Sequence, residues 1–403
     1  MRASKIGMMR LPNKAAVLSA LGLNQILAWG SSFYLIAILA APIVAETGWS
    51  LPSVIAGPSL GLLCAGLVSR RVGRQIHRSG GRMVLGFAAL MFVAGLVGLA
   101  HVSRLPEYFL AWGVIGVGMG CGLYDAAFAT LGRIYGVKAR GAITALTLFG
   151  GFASTICWPI SAWLAAHYGW RNACLAYAAV HAFVSLPLIL WVIPKDRDGT
   201  KQPGAAQGVA GAETAVERRR FLLLAGSLTL ATGVMSAVAA HVINLLVAVG
   251  IEPASAVLLA AAIGPSQVAA RVIEASLHGR AHPVWTLIAS VTLAGTGVAL
   301  LAAHAPLPAL ALVAYGAGNG LNSIARGTMP LALFGPDRYA IWMGRLGMPT
   351  LIAGAVAPFA ASYLIEAFGP TACLIALTFA MALAVLAALT LAANLWARSR
   401  SED

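Results

Sequence analysis

GPSLGLLCAGLVSRRVGRQIHRSGGR, residues 57–82, decides how the whole chain is read. Up to Ser69 it is apolar or small and carries no charge. Then Arg70, Arg71, Arg74, Arg78 and Arg82 follow, set among glycines. A helix leaving a bilayer on its cytoplasmic side has this profile, because Lys and Arg are retained there. The opening triplet returns late in the chain. Gly57-Pro58-Ser59 recurs as Gly264-Pro265-Ser266, 207 residues on, with an arginine close behind.

Composition says what surrounds such a segment. The 403 residues are 60% hydrophobic and 10% charged, with a mean hydropathy of +0.84. A soluble protein carries about 25% charged residues, so lipid is the solvent that most of this surface meets. The net charge of +14 does not imply nucleic acid, because the cations fall in short clusters between apolar runs and not on one face. Cys64, Cys121, Cys157, Cys174 and Cys373 all sit inside apolar runs without CxxC or Cys/His spacing. Neither a disulfide frame nor a bound metal is expected. No phosphate loop, HExxH or clustered Ser/His/Asp set occurs, so the chain is read as neither enzyme nor nucleotide-driven pump, and no cofactor is expected.

A spanning helix needs about 20 mostly apolar residues, and twelve segments qualify. They run at 15–44, 51–69, 83–102, 106–131, 142–166 and 173–193, then at 221–249, 254–273, 284–303, 307–333, 341–365 and 371–396. The fold class is therefore all-α and integral to a membrane. It has two six-helix halves, 1–193 and 221–403, joined by a polar cytoplasmic linker over 194–220. The first apolar run is too long for a signal sequence and is read as a retained span. Of the 27 lysines and arginines, 22 fall in segments that would then be cytoplasmic, and only Arg104 and Arg171 in outer loops. Both termini are expected in the cytoplasm, with the protein in a bacterial-type inner membrane.

The halves match each other. Gly116-x-Gly118-x-Gly120 of the fourth span aligns with Gly316-x-Gly318-x-Gly320 of the tenth, at an offset of 200. Pro159 and Pro358, in the fifth and eleventh spans, are 199 apart. With the Gly-Pro-Ser pair this makes three matches at nearly one spacing, which argues for duplication.

Two six-span halves in parallel repeat resemble the plan of the major facilitator superfamily. Gly73-Arg74-Gln75-Ile76-His77-Arg78-Ser79-Gly80-Gly81-Arg82 resembles that superfamily's loop between spans two and three, G-x-x-x-D-R-x-G-R-R. Here His77 stands where the family has Asp and Gly81 where it has a basic residue, so a carboxylate partner in the loop is missing. Gly73, His77, Arg78, Gly80 and Arg82 are the loop residues that the resemblance marks. Tyr168-Gly169-Trp170-Arg171 also resembles the superfamily, whereas Trp112 stands near the family's basic residue of span four. The strings GLYDAAFATLGRIYG (122–136), FASTICWP (152–159), GPSQVAARVIE (264–274) and ARGTMPLALFGP (325–336) resemble a bacterial subgroup that includes arsenite-efflux permeases.

Charges inside the membrane are costly, at least ~2.5–3.5 kcal/mol each at mid-helix, so they should face protein, water or each other. Asp125, Arg271, Glu274 and Arg326 are the cases in point. Helical spacing puts Tyr315, Asn319, Asn322 and Arg326 on one face, and Gln267, Arg271 and Glu274 on another. Gln25 and Ser32, Cys121, Thr147 and Ser154, and His241 with Asn244 add polar faces that would line a central cavity. Asp125 and Arg326 occupy nearly equivalent places in the two halves. They are expected to pair when the cytoplasmic side closes, with Asp125 as a carrier of the coupling proton; a fixed structural pair is the competing reading. Arg271 and Glu274 read as a local structural pair near the cytoplasmic end, with a substrate site as the competing reading, and Arg271 and Arg326 could hold an anion. His241 is either a proton-coupling group or a buried, hydrogen-bonded histidine. Cys121 and Cys157 are either small apolar groups or ligands for a trivalent metalloid.

The sequence thus reads as a monomeric, secondary-active permease coupled to protons. Its cargo is a small molecule: a toxic solute such as trivalent arsenic or antimony being exported, or an organic anion of monocarboxylate type or a vitamin being taken up.

Overall fold

The computed structural model describes residues 13–195, 214–277 and 281–402. The cationic tail residues Arg2, Lys5 and Arg10, most of the 194–220 linker, and Arg280 lie outside the described residues. Among the described residues there are helices and no strands. In lipid this is expected, since an open sheet edge would leave backbone groups with nothing to bond.

Twelve spans run through these helices, and several of them are interrupted. The first is split into Lys14–Gly30 and Ile36–Thr47, the fourth into Leu105–Gly122 and Tyr124–Tyr135, and the eighth into Pro253–Ala261 and Ile263–Ser276. The fifth breaks between Ala139–Gly151 and Ala153–Val180. That last helix turns at Gly169 (φ 81°) into the sixth span, which continues through a π-helical turn at His181–Ser185. The second, third, seventh, ninth and twelfth are Leu51–Ser79, Gly81–Ala100, Ala215–Ala248, Pro283–Ala302 and Pro370–Glu402. The tenth and eleventh are the two limbs of Pro308–Phe368, hinged at Gly335 (φ 70°). The unbroken runs read from the sequence for spans one, four, five and eight are therefore corrected. Leu123, Phe152, Ala262 and the 31–35 turn interrupt them without interrupting the apolar pattern.

Buried apolar side chains form two clusters, one mostly from residues 17–193 and one from 224–392. The duplicated glycines explain how each cluster closes. A methyl on Gly116 or Gly120 would strike the backbone of Gly61 and Ala65 in span two, and one on Gly118 would strike Phe92 in span three. In the second half Gly316 and Gly320 meet Ile263 and Gln267 of span eight, and Gly318 meets Ala294 of span nine. One triplet thus lets a central helix touch two neighbours at backbone distance, and it does so twice. The Gly-Pro-Ser pair has diverged: Gly57 packs under Trp112 and Tyr108, whereas Gly264 faces open space. Large apolar side chains of the third, sixth and twelfth spans, such as Phe87, Phe183, Trp191 and Phe379, are exposed. That suits lipid.

The halves pack through the second and eleventh spans, the 124–135 helix against the tenth and eleventh, and the 139–151 helix against the eighth and tenth. The tightest printed approach between spans two and eleven, Gly73 on Gly344, lies toward the end that carries the arginine clusters, here called the basic end. At the opposite end a staple holds the first half together. Arg171 Nε donates to Glu46 Oε1 at 2.8 Å, Arg171 Nη1 to the Ala100 carbonyl at 2.8 Å, and Trp170 Nε1 to Glu46 Oε2 at 2.6 Å. The Trp-Arg pair read as a family resemblance is therefore a clamp on the end of span one.

The Arg171 hydrogen bond holds the Glu46 carboxyl below its ordinary value of 4.5. A depressed carboxylate contributes stability above the unfolded value and loses it as pH falls through the folded one. The melting temperature in detergent is expected to fall below about pH 4.5, and Glu46→Gln should weaken that acid dependence while lowering the melting temperature at pH 7. A pH series of thermal melts of both proteins checks it.

Candidate functional site

The interruptions converge. The chain turns at Leu123 (ψ −168°), so Tyr124 begins a new helix with Asp125 in its first turn, where the positive end of the helix favours a carboxylate. The carbonyl freed at Gly122 accepts from Gln25 Nε2 at 2.8 Å. In span one the break leaves Ser32 Oγ bonded to the Ala28 carbonyl and the Tyr34 carbonyl bonded to Trp158 Nε1 at 3.2 Å. Gln25 and Ser32, read as cavity residues, instead satisfy backbone that lipid could not.

Arg326 reaches Asp125 from the tenth span as a two-pronged pair, Nε to Oδ1 at 2.8 Å and Nη2 to Oδ2 at 2.5 Å. The two side chains are only 13% and 14% exposed, so the pair sits in a poorly solvated joint between the halves. Small residues crowd it. A methyl on Gly347 would lie 2.7 Å from Asp125 Oδ2, and Gly344 and Gly73 cross with no room for side chains. Ser69 Oγ donates to the Gly344 carbonyl at 3.0 Å. Tyr339 Oη donates to the Gly327 carbonyl at 2.6 Å, and its ring fills the space above Gly132.

Arg271 lies in the same layer, more than nine-tenths buried. Its Nη1 donates to the Thr147 carbonyl at 3.2 Å across the two halves, and its Nε to the Gly320 carbonyl at 3.3 Å. Tyr124 Oη donates to the same Thr147 carbonyl at 3.3 Å. The pairing with Glu274 read from the sequence is not found. Glu274 accepts from Thr286 Oγ1 of span nine at 2.7 Å instead, because the three-residue step lets the longer carboxylate swing to the neighbouring helix.

Other sequence-derived positions fall elsewhere. Tyr315 is buried in the second core with its Oη on the Met235 carbonyl at 2.9 Å, and Cys121 is buried in the first core. Cys157 packs on Gly30, its Sγ 3.6 Å from the Ile26 carbonyl. The Thr147 hydroxyl turns back to Thr144, so only its carbonyl serves the joint. His241 bonds the Pro358 carbonyl at 3.0 Å and Ser362 Oγ at 3.2 Å, both in the eleventh span of its own half. Asn244 is exposed; Ser154, Gln267 and Asn319 are half-buried. Asn322 is buried, and its Oδ1 has no partner among the described residues. No group of three or more His, Cys, Asp or Glu that could hold a metal occurs among the described residues.

At the basic end the family-like loop is explained. His77, in the place of an aspartate, is hydrogen-bonded to the backbone of Asp337, at the start of the eleventh span. The carboxylate missing from the loop therefore stands across the joint. Burial and then the Arg133 charge hold the His77 ring below its ordinary value of 6.5, against the pull of Asp337. Arg133 Nη1 also donates to the His77 carbonyl at 2.6 Å. Gly80 (φ 76°) ends the helix, and a side chain at Gly81 would strike Thr130, which is why no basic residue fits there. Arg78 is exposed and Arg82 half-buried.

Sequence reasoning missed Ser69, Tyr34, Tyr124, Tyr339 and Asp337. A spacing argument along single helices carries no signal for partners on other spans. The aromatic density of spans one and four was the one available hint.

Comparison with known proteins bears on all of this. The sequence profile of the Major Facilitator Superfamily matches residues 21–307. A 128-residue stretch is 33% identical to "Transcription regulatory protein OpdE" of Pseudomonas aeruginosa, and that match spans 30% of each protein. The fold is similar to that of FucP in an outward conformation (TM-score 0.72, 15% identity, covering 93% of this chain and 98% of that one). It is similar also to the human organic anion transporter MFSD10 (TM-score 0.76, 14% identity, 94% and 100%) and to the proton:xylose symporter XylE (0.67, 14%, 93% and 94%).

Removing one member of a buried ion pair costs about 3–5 kcal/mol, enough to shift a balanced two-state joint almost wholly to its open form. In a background with the native cysteines replaced by serine, Ser69→Cys should resist alkylation. Adding Asp125→Asn or Arg326→Gln should expose it, and the exchanged pair Asp125→Arg with Arg326→Asp should protect it again. Maleimide labelling read by mass shift checks this.

Proposed function

The chain belongs to the major facilitator superfamily, and from that premise we propose that it is a secondary-active, proton-coupled transporter of a small solute. Its two halves rock about a midplane site. The basic end faces the cytoplasm, as the distribution of Lys and Arg requires, and the protein works as a monomer in the inner membrane. The observation that carries the mechanism is the Asp125–Arg326 pair, which spans the halves where they pack. Closing the cytoplasmic side forms the pair. Opening it separates two charges in a poorly solvated site, and a buried carboxylate without its cation takes up a proton. Proton binding to Asp125 then offsets the cost of opening, which is what couples the ion to the rocking.

Two cargo readings follow. Export of trivalent arsenic or antimony rests on strings that resemble a subgroup including arsenite-efflux permeases. Cys121 and Cys157 are each packed into the protein interior, so thiolate ligation gives that reading no support, and His241 is hydrogen-bonded to the eleventh span of its own half. Uptake of an organic anion is supported by Arg271, a buried cation with only carbonyl partners.

In proteoliposomes loaded with a pH dye, addition of arsenite or of benzoate is expected to move protons, and a protonophore to abolish the gradient-driven part. Asp125→Asn should leave solute exchange but uncouple it from the proton gradient. Near-normal coupled flux in both Asp125→Asn and Arg326→Gln would overturn the coupling assignment.

A further inference from the structure

Arg271 has five N–H donors, and the protein accepts from two of its nitrogens, Nε and Nη1. It forms no ion pair among the described residues. Glu274, the nearest acid along its own helix, is engaged by Thr286, and Asp125 is engaged by Arg326. A buried guanidinium left with two carbonyls is an expensive arrangement in a membrane, and a chain that keeps it must recover the cost from something that binds there.

What surrounds it describes that something. Tyr124 Oη and Arg271 Nη1 both donate to the Thr147 carbonyl, at 3.3 and 3.2 Å, so the breaks in spans four and five meet Arg271, which itself follows the break in span eight. Trp29 lies on Tyr124 with ring centroids 5.2 Å apart and on Tyr34 at 6.1 Å, and Trp158 meets Tyr34 edge-on at 6.1 Å. The Trp29 Nε1–H is buried and has no acceptor among the described residues. One half therefore supplies an aromatic wall with an unused donor, and the other supplies one unpaired cation.

We propose that this layer is the substrate site and that it takes an organic monocarboxylate with a flat apolar body. The carboxylate docks on the free N–H groups of Arg271, the fork geometry that suits a carboxylate best, and the body lies along Trp29, Tyr34 and Trp158. A dicarboxylate or inorganic phosphate would bring a second charge with no second cation to meet it. A neutral metalloid would use neither the cation nor the wall. This deepens the transport reading and rests on it only for the passage of the solute, since binding itself is an equilibrium property.

Full-length protein in detergent provides the test, with benzoate as probe and benzamide, succinate, phosphate and arsenite as controls. Benzoate is expected to quench tryptophan fluorescence saturably and to raise the melting temperature, and benzamide to do neither. Arg271→Gln should bind benzoate about 10-fold to 100-fold more weakly, the size expected for a lost charge-assisted hydrogen bond, and Arg271→Lys should recover part of it. Without ligand, Arg271→Gln should melt no lower than the parent, because it removes an unpaired buried charge; a purely structural arginine would give a lower melting point. Trp29→Phe should reduce the quenching while leaving the fold intact. Unchanged benzoate binding in Arg271→Gln, equal binding of benzamide, or a response to arsenite or phosphate alone would overturn the proposal. Benzoate binding without proton flux in vesicles would instead count against the transport reading and leave the site standing.

Discussion

A helix interrupted inside a bilayer frees carbonyls and amides that lipid cannot satisfy, and the polar chemistry of this protein grows from that constraint. Gln25 caps the carbonyl of Gly122, Trp158 takes the carbonyl of Tyr34, and Arg271 takes that of Thr147. Each repair brings a polar or aromatic side chain from one span to the break of another. The breaks thus gather into a single layer the groups that a continuous bundle would have kept apart. Asp125 gains more than position from this, because the new helix start at Tyr124 turns a positive helix end toward its carboxylate.

The joint between the halves combines a rigid contact with a conditional one. Where Gly73 crosses Gly344, and Ser69 meets the Gly344 carbonyl, the helices approach at backbone distance. Such an interface gains from dispersion and small residues, as membrane helices must, because lipid offers them no hydrophobic drive. It has one favoured geometry and little tolerance. The Asp125–Arg326 pair, one helix away, is strong only while both charges are present and apposed. A contact that depends on charge state is thus set beside one that depends on shape. His77 against the backbone of Asp337 adds a second titratable contact to the same joint.

The sequence disclosed the scaffold well because the scaffold is periodic. Apolar length sets the spans, arginine clusters set their sense, and the glycine triplets at offset 200 set the repeat, each through local rules that survive without coordinates. The Asp125–Arg326 pair was legible for a related reason. Both residues are too costly to leave alone in lipid, and the repeat offset places them opposite each other. Arg271 and Glu274 were misjudged because spacing on one helix says which groups are neighbours but not which way a long side chain turns. Tyr315 was misjudged likewise. It shares a face with Arg326 but lies eleven residues, about 16 Å, away along the helix, where that face meets span seven of its own half. The breaks were hidden because Leu123, Phe152 and Ala262 are ordinary apolar residues, and what interrupts their helices is packing from other spans.

Duplication accounts for the scaffold, and divergence for the chemistry. The glycine triplets still do the same work in both halves, whereas Gly57 lies under Trp112 and its counterpart Gly264 lies under nothing. Asp125 faces a partner whose repeat position is one residue off, since an exact repeat would pair it with Ala325. Off its axis a twofold repeats every contact, so two identical halves would make each anion–cation pair twice. Here the Asp125–Arg326 pair and the aromatic cluster near Arg271 each occur once, which is where the halves have diverged. Tyr34, Tyr124 and Trp29 on one side and Arg271 on the other are departures of that kind, and they lie where the halves face each other.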